Sequence, residues 1–561
     1  MKPLILGLFL FSHLLFPSDA GIQKSFNRIR QYDVQHYRIG LRFDRVKKTV
    51  FGDSAITLRA LGNTLESIEL DAKNINFYSI TRSDSGSVLK YRYDKRKLRI
   101  FLDKPLEPAE EISIRFTYSA RPRKGIYFVP ASRSKGKTLR SAQIWTQGES
   151  EETHHWLPSY DFPDDKATTE QIITVGGRET VIGNGELVSN TLNKNGTRTF
   201  HYKMNVPHSL YLSSFVIGRY IRIEDRYKDI PLGFYVYPGG RAVAQKAFGK
   251  TKDMMRVFEE LTGMDYPFGK YDQTIVARFA FGGMENITAT TFADSEILLA
   301  GSFGPEIVQD LVAHELAHSW FGNLVTCRNW AELWTNESFA SYMEAAYREK
   351  TKGRQEYLEK IEDDASQYFA YASVSPAARH GLFNTTADPE NDGTMFDPVT
   401  YNKGSAVIHT LREEIGDDAF WNAIKKYLKK YRYKNVETAD LRSVFEEESG
   451  KDLGWFFDQW VYRSGHPEVT VSQTFDNSNG VLTLVFVQAA TKTDKPLALY
   501  RLPLDIEIKT ADRTINERIM LDERRESVSI KTVLKPERLD IDKSYKIPLK
   551  DLTLSPLVTQ N

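Results

Sequence analysis

Cysteine is almost absent from this chain of 561 residues, whose single cysteine is Cys327. One thiol cannot form an internal disulfide, so a fold held together by disulfides is excluded. The position of Cys327 fits no cysteine-ligand motif for a metal. We therefore expect it to be a small buried hydrophobic residue.

Excess charge and long apolar runs are also lacking. The formal net charge is +1, from 75 basic and 74 acidic residues, which gives no basis for binding nucleic acid or an anionic membrane. Beyond the N-terminus no segment approaches the ~20 apolar residues that a membrane span requires. Hydrophobic residues at 41% and charged residues at 27% are typical of a soluble globular protein.

The first twenty residues differ from the rest. Lys2 precedes an apolar run over residues 4–16, and the small residue Ala20 follows shortly after. This pattern predicts a secretory signal over residues 1–20, cut after Ala20, and hence an exported protein that is periplasmic or secreted. Because no internal disulfide can form, a bacterial envelope is favoured over a eukaryotic extracellular location.

The length exceeds one hydrophobic core, so about three domains are expected. Period-two alternation, as in Ile112, Ile114 and Phe116, predicts an antiparallel β-domain first. Helical patterns follow, and alternation returns near the C-terminus, as in a small β-sandwich. The predicted segments are a signal at 1–20, an N-terminal β-domain at 21–228, an α+β domain at 229–465, a β-sandwich at 466–547 and a tail at 548–561.

Two histidines with helical spacing stand near the middle of the chain. His314 and His318 are four residues apart and would share one face of a helix, so both imidazoles can reach the same metal ion. Pro305 suits the first turn of that helix and Gly322 its end. Ile307 continues the histidine stripe toward the N-terminus, which predicts that this face is buried.

A catalytic zinc site needs a third protein ligand and keeps one position for water. Glu337 is the candidate, on a second predicted helix that returns antiparallel to the first. Glu344 lies two turns further along the same face and is expected to orient a ligating imidazole. The sequence thus predicts one Zn²⁺ per chain. The alternative is an ordinary, partly exposed helix face that matches the pattern by chance.

Four motifs occur together, and their residues are Gly282, Gly283, Met284, Glu285 and Asn286; His314, Glu315 and His318; Asn336 and Glu337; and Tyr401 to Gly404. In this order and spacing they resemble the zinc metallopeptidase family of aminopeptidase N and leukotriene A hydrolase, the gluzincin aminopeptidases. The resemblance implies a multidomain α+β fold. Its expected parts are a β-rich, saddle-like N-terminal domain, a thermolysin-like α+β zinc peptidase domain and a small C-terminal β-sandwich.

The resemblance also implies roles for single residues. Glu315 would be the general base and Tyr401 would stabilise the oxyanion of the tetrahedral intermediate. Glu285 would bind the α-ammonium group of the substrate with help from Glu149, and Gln147 would line the same pocket. The remaining residues of the first motif, Gly282, Gly283, Met284 and Asn286, would also contact substrate.

These roles agree with elementary chemistry. A carboxylate beside a metal can take a proton from water and pass it to the leaving amine. A phenol aimed at a developing oxyanion stabilises the transition state. Carboxylates that bind an ammonium group select the free end of a peptide, because an internal bond brings no charge to pair with them.

Two features depart from the family pattern. His154 and Ser159 stand where the family often has arginine and cysteine, which bears on details of the N-terminal domain. The large helical C-terminal domain of many relatives is not expected here, so the cleft would be more open to longer peptides.

The sequence therefore predicts a zinc aminopeptidase that acts on peptides with a free N-terminus. The alternatives are an epoxide hydrolase similar to leukotriene A hydrolase on the same scaffold, or a non-enzymatic peptide-binding protein with an inactive site. The sequence indicates neither the preferred first residue nor the oligomeric state.

Overall fold

The computed structural model describes residues 26–135, 137–489 and 499–560. The predicted signal at residues 1–20 lies outside the described residues. Among the residues that are described, no helix is long and apolar enough to cross a membrane.

The N-terminal part is built almost entirely of β-strands. Those described up to residue 218 are β1 Tyr32–Asp44, β2 Thr49–Ala60, β3 Leu65–Asp71, β4 Ile75–Arg82, β5 Lys90–Tyr93, β6 Lys97–Leu106, β7 Glu111–Ala120, β8 Ile126–Val129, β9 Ser132–Ser134, β10 Lys137–Arg140, β11 Gln143–Thr146, β12 Lys166–Gly176, β13 Thr180–Gly183, β14 Glu186–Leu192, β15 Thr197–Ser209 and β16 Phe215–Gly218. The predicted alternation is present in β7, where Ile112, Ile114 and Phe116 are buried and the residues between them are partly or fully exposed. The expected β-rich N-terminal domain is confirmed.

Three main sheets arise from these strands. The largest has the order β14-β15-β12-β1-β2-β7-β4, the second β13-β16-β11-β8 and the third β3-β6-β5. β1 and β12 pair in parallel, whereas β1 with β2 and β2 with β7 pair antiparallel. β11 ends at Thr146, so Gln147 and Glu149 leave the second sheet directly toward the middle of the molecule.

The middle part combines a mixed sheet with helices. Its strands are β17 Ile221–Tyr227, β18 Ile230–Val236, β19 Tyr271–Val276, β20 Gly283–Met284, β21 Ala289–Ala293, β22 Thr326–Cys327 and β23 Asn435–Val436. Its helices are α1 Arg241–Phe248, α2 Thr251–Thr262, α3 Asp294–Ile297, α4 Leu299–Phe303, α5 Glu306–Ala317, α6 Trp334–Lys352, α7 Arg354–Val374, α8 Gly404–Ile415, α9 Asp417–Lys430, α10 Thr438–Ser449 and α11 Gly454–Phe457. π-helical turns cover Val399–Lys403 and Asp458–Tyr462.

The predicted domain boundary after residue 228 is too late. β17 pairs antiparallel with β18 in a five-stranded sheet of order β17-β18-β19-β21-β20. A boundary at 228 would cut this hairpin, so the change of sheet lies earlier, between Gly218 and Ile221. Alternation alone could not separate β17 from the preceding strands, because both sheets bury one face.

Two small β-sheets close the described chain. Their strands are β24 Glu468–Asp476, β25 Val481–Ala489, β26 Leu502–Lys509, β27 Thr514–Leu521, β28 Arg525–Lys531, β29 Arg538–Ile541, β30 Asp551–Leu554 and β31 Val558–Gln560. β30 and β31 both pair in parallel with β24. The interpretation of residues 548–561 as a tail is therefore wrong, because these short strands complete the edge of a sheet.

Candidate active site

Helix α5 carries the two histidines, as predicted. His314 lies in its last turn and His318 caps its C-terminal end, and both are buried. Gly322 follows with a φ of 118°, a conformation that favours glycine, where the chain turns back toward α6. Ile307 does not continue the buried stripe, since it is 51% exposed; the apolar residues that bury this helix are Val308, Val312 and Leu316.

Glu337, in the first turn of α6, meets both histidines. Its Oε2 lies 3.3 Å from His314 Nε2 and 3.4 Å from His318 Nε2, and the two Nε2 atoms are 3.1 Å apart. All three side chains are buried, and we refer to His314, His318 and Glu337 together as the ligand cluster. Two imidazole nitrogens and one carboxylate oxygen converging in this way form a donor set suited to a divalent transition metal.

The outer ring nitrogens are held in place by hydrogen bonds. His314 Nδ1 lies 2.8 Å from Glu344 Oε1, and His318 Nδ1 lies 2.9 Å from the carbonyl oxygen of Phe321. Both partners are acceptors, so each Nδ1 donates and each Nε2 is directed at Glu337. Fixing the tautomer in this way is a common feature of metal-ligating histidines, and Glu344 has the position predicted for it.

Burial and charge act against each other in this cluster. Burial raises the pKa of Glu337, but the positive charges of His318 and His314 outweigh it and lower the pKa to about 2. Burial lowers the pKa of His318, whereas Glu285 and Glu337 raise it to about 9. A metal ion bound here would compete with protons for the same ring nitrogens, so metal affinity should fall as the pH falls.

Glu315 faces the cavity beside the ligand cluster. Burial raises its pKa to about 8, against the lowering effect of His314 and His318. Strand β20 passes so close that a Cβ atom at Gly283 would lie 2.1 Å from Glu315 Oε1. Glycine is therefore required at position 283 for this carboxylate to keep its place.

Glu149 and Glu285 form an acidic corner next to the ligand cluster. Carboxylate oxygens of Glu149, Glu285 and Glu337 lie within 4.8 Å of one another. Within the described part of the chain, Oε1 of Glu149 and Oε1 of Glu285 are buried and have no hydrogen-bond partner. Burial, and then the charge of Glu285, raises the pKa of Glu149 well above its usual range. Buried, unpaired acceptors of this kind call for a cation.

Gln147 and Met284 line the same corner. Gln147 Nε2 lies 3.1 Å from Met284 Sδ, while its Oε1 is buried without a partner among the described residues. Asn286 does not fit its predicted role as a substrate contact. Its side chain is fully buried, donates to Thr291 Oγ1 at 3.0 Å and is not part of the cavity wall. Asn286 instead holds the turn between β20 and β21.

Tyr401 reaches the site from a π-helical turn. Its ring stacks near that of His314, with centroids 5.7 Å apart. Asp397 Oδ1 accepts hydrogen bonds from the backbone N–H groups of Val399 and Thr400, which fixes the start of this turn. Burial, and then nearby Glu337, raises the pKa of Tyr401 well above its usual range, so its hydroxyl keeps its proton and can donate.

One cavity of about 480 Å³ unites these groups. Glu149, Glu285, the ligand cluster, Glu315 and Tyr401 lie along one part of it, and Phe281 and Phe396 pack against each other in its wall. Sequence reasoning missed the wall residues from α7 and beyond, which are Lys360, Asp363, Asp364, Gln367 and Asn402. Lys360 and Asp364 have an i,i+4 spacing, but surface helices show the same spacing, so no sequence signal separates the two cases.

His154 and Ser159, the two departures from the family pattern, lie away from this cavity. His154 Nδ1 bonds to Asp161 Oδ2 at 2.8 Å and its ring stacks on His155. Ser159 is fully buried and its backbone pairs with that of Asp71. Both residues thus serve the packing of the N-terminal domain. Cys327 is buried as predicted.

Family models match most of the chain. Residues 33–212 match the Peptidase M1 N-terminal domain, and residues 246–460 match the Peptidase family M1 domain. The second match contains the ligand cluster, Glu285, Glu315 and Tyr401, and the first contains Gln147 and Glu149.

Curated relatives include several aminopeptidases. Probable aminopeptidase 2 of Sulfurisphaera tokodaii is 27% identical over 93% of this chain and 64% of the relative. Glutamyl aminopeptidase of Bos taurus is 29% identical over 71% of this chain and 41% of the relative. Aminopeptidase N of Streptomyces lividans is 30% identical over 61% of this chain and 40% of the relative. The chain therefore spans between two fifths and two thirds of the length of these relatives.

Proposed function

Because the chain belongs to peptidase family M1, we propose that it is a zinc-dependent aminopeptidase that removes N-terminal amino acids from peptides. The observation that carries this proposal is the acidic corner of Glu149 and Glu285 beside the ligand cluster. A metal site alone would serve any hydrolase. A corner beside the metal site that binds the substrate's α-ammonium group would restrict cleavage to the first peptide bond, which is the property of an exopeptidase.

His314, His318 and Glu337 would hold the zinc ion. The two-nitrogen, one-oxygen donor set and its fixed histidine tautomers support this assignment. Bound zinc supplies a Lewis acid that polarises the scissile carbonyl group and activates water. Glu344 would keep His314 oriented throughout.

Glu315 would act as the general base. Its carboxylate lines the cavity within 4.8 Å of a ring nitrogen of His318, which supports a role beside a water molecule held at the metal. It would take a proton from the attacking water and give it to the amine that leaves.

Tyr401 would donate a hydrogen bond to the oxyanion of the tetrahedral intermediate. The raised pKa of its phenol supports a proton that stays in place during the reaction. A hydrogen bond that strengthens as negative charge develops on the oxygen stabilises the transition state more than the bound substrate, and it therefore lowers the activation barrier.

Glu285 and Glu149 would bind the α-ammonium group of the substrate, and Gln147 with Gly282, Gly283 and Met284 would line that pocket. Docking the ammonium group there would bring the first peptide bond to Glu315. An acetylated or internal residue brings no charge and would leave two buried carboxylates unpaired.

The test compares a peptide with a free N-terminus and the same peptide acetylated, for the wild type and for Glu285→Ala. We expect the wild type to cleave only the free peptide, at its first bond, and Glu285→Ala to lose most of this activity while the preference for the free peptide narrows. The measurement is kcat/KM by mass spectrometry of the released amino acid.

Efficient cleavage of the acetylated peptide at an internal bond by the wild type would contradict the proposal. Bound metal without turnover of any peptide would favour a non-enzymatic peptide-binding protein. Hydrolysis of epoxides but not of peptides would favour the leukotriene A hydrolase alternative.

The predicted signal peptide and the predicted location remain part of the same proposal. The signal over residues 1–20 supports export to a bacterial envelope or beyond. N-terminal sequencing of the exported chain should begin after Ala20. The thermolysin-like architecture proposed for the middle domain is supported by its mixed sheet followed by α5 and α6.

A further inference from the structure

A buried lysine lies in the cavity wall, away from the ligand cluster. Lys360 belongs to α7 and is 6% exposed. Its Nζ lies 3.0 Å from Glu344 Oε2 and 2.6 Å from Asp364 Oδ1. An ammonium group is buried at this depth only when its charge is balanced, and here two carboxylates balance it.

One of these carboxylates leads to the ligand cluster. Glu344 places its two oxygen atoms on different partners, Oε1 on His314 Nδ1 and Oε2 on Lys360. A single donor on each oxygen fixes the rotation of the carboxylate plane. Lys360 thereby determines where Glu344 presents the oxygen that receives the proton of His314 Nδ1.

The other carboxylate leads to Tyr401. Asp364 Oδ1 accepts from Lys360 and also from Asn402 Nδ2, at 3.0 Å. Asn402 is the neighbour of Tyr401 in the π-helical turn, and Asp364 itself is fully buried. The side chain of Asn402 therefore holds this turn against α7.

We propose that Lys360 is a positioning residue that couples the orientation of His314 to the placement of Tyr401. It touches no reacting group and acts through Glu344 on one side and through Asp364 and Asn402 on the other. Without Lys360, the buried carboxylates of Glu344 and Asp364 would lose the cation they share, and each would keep only its neutral or histidine partner. Both carboxylates would then be free to rotate, and both connections would loosen together. The inference rests on the proposed function for the role of Tyr401, whereas its metal arm needs only that His314, His318 and Glu337 bind zinc and not that a peptide is cleaved.

The first experiment measures metal affinity by competition with a chromophoric chelator. We expect Lys360→Met to weaken zinc binding by about 10- to 100-fold, which is the usual effect of losing an outer hydrogen-bond partner. Lys350→Met is the control, because Lys350 forms a comparable ion pair with Glu260 on the exposed end of α6. Metal affinity in Lys360→Met equal to that of Lys350→Met would overturn the metal arm.

The second experiment separates the two arms. Asp364→Asn keeps Lys360 paired with Glu344, so we expect nearly normal metal affinity with a kcat about tenfold lower and a KM changed less than twofold. Lys360→Met should lower both metal affinity and kcat at saturating zinc. If Asp364→Asn keeps the wild-type kcat, the Tyr401 arm is wrong.

Coupling is measured by double-mutant cycles. In the double variant Glu344→Gln/Lys360→Met, the fold-loss of metal affinity should be smaller than the product of the fold-losses in the two single variants. In the double variant Tyr401→Phe/Lys360→Met, the fold-loss of kcat should likewise be smaller than the product of the two single fold-losses. Effects that multiply independently in both cycles would show that Lys360 merely stabilises the fold.

Hydrogen exchange gives a readout without turnover. Amides of residues 397–404 should exchange faster in Lys360→Met and in Asp364→Asn than in the wild type, at the same zinc occupancy. If the wild type turns over no peptide, the proposed function fails, whereas exchange and metal affinity still decide the role of Lys360. Should Lys360→Met not fold, Lys360→Gln and Asp364→Asn replace it, and unchanged exchange in both would overturn the proposal.

Discussion

Glu337 is the residue on which the metal site depends, because its Oε2 is within 3.4 Å of both histidine Nε2 atoms. Two imidazoles alone do not complete a three-ligand site. We therefore expect Glu337→Ala to lose zinc during dialysis, as measured by metal analysis of the purified chain. Full zinc occupancy in this variant would refute Glu337 as a ligand.

Glu315 and Tyr401 should affect the reaction and not the metal. Neither side chain is one of the three assigned ligands, and both line the cavity. Glu315→Gln and Tyr401→Phe should each retain the fold and the bound zinc while kcat falls. For Tyr401→Phe, which removes the proposed oxyanion donor, kcat should fall by about 100- to 1000-fold. A nearly normal kcat in Tyr401→Phe, measured at saturating peptide, would remove its assigned role.

At the scale of elements, the close approach of α8 to α6 determines where Tyr401 lies. A Cβ atom at Gly404, the first residue of α8, would lie 1.8 Å from Ser338 Oγ of α6. Ser338 Oγ in turn donates to the carbonyl oxygen of Thr400 at 2.6 Å. Any larger residue at 404 must push the π-helical turn away from α6.

Gly404→Ala should therefore lower stability by about 1–3 kcal/mol through overpacking. It should also lower kcat at least tenfold while zinc stays bound, because Tyr401 moves. Kinetics and urea unfolding measure both effects. Gly269→Ala is the control, since its new Cβ would meet only Glu186 Oε1 at 3.7 Å. Wild-type kcat in Gly404→Ala would show that the turn tolerates the shift.

At the scale of the whole molecule, the N-terminal domain reaches into the active-site region through Lys166 of β12. Its Nζ donates to the carbonyl oxygens of Asn323 and Leu324, each at 3.1 Å. Asn323 Nδ2 donates to the carbonyl oxygen of Glu285 at 2.8 Å. A residue of one domain thus supports the backbone of the acidic corner in the next.

Lys166→Met should leave the carbonyl oxygen of Asn323 without its donor, at a cost of about 1–3 kcal/mol in the free energy of unfolding. The carbonyl oxygen of Leu324 still accepts from the backbone N–H of Tyr433 at 3.0 Å. Burial lowers the pKa of Lys166 to about 7, which is below the value near ~10.4 expected in the unfolded chain. The unfolded chain then binds more protons between these two values, so the stability of the wild type relative to the variant rises with pH by up to ~1.4 kcal/mol per pH unit.

Urea unfolding at pH 7 and pH 9 measures this difference. Lys90→Met, which removes a lysine from an exposed position of β5, is the matched control. A difference between the wild type and Lys166→Met that stays constant across this pH range would contradict a depressed pKa for Lys166.

Local periodicity and short spacings are enough to predict part of this fold and part of its site. An i,i+4 pair must share a helix face, so His314 and His318 converge wherever α5 lies in the fold. Alternation likewise predicted β7 and strands of the two C-terminal sheets. Locally periodic patterns do not reveal which sheet a strand joins, and this is why β17 and the pair β30 and β31 were assigned wrongly.

Contacts between side chains that are far apart in the sequence become visible only in the packed structure. Resemblance suggested the pairing of Glu149 with Glu285, but their approach depends on how the end of β11 docks on β20. From the sequence alone, Lys360 is indistinguishable from a lysine on the exposed surface of a helix. It becomes a link between His314 and Tyr401 because α7 packs beside α6 and beneath the π-helical turn. Local propensity acts over a few residues, whereas burial and pairing of charges depend on the whole packed chain.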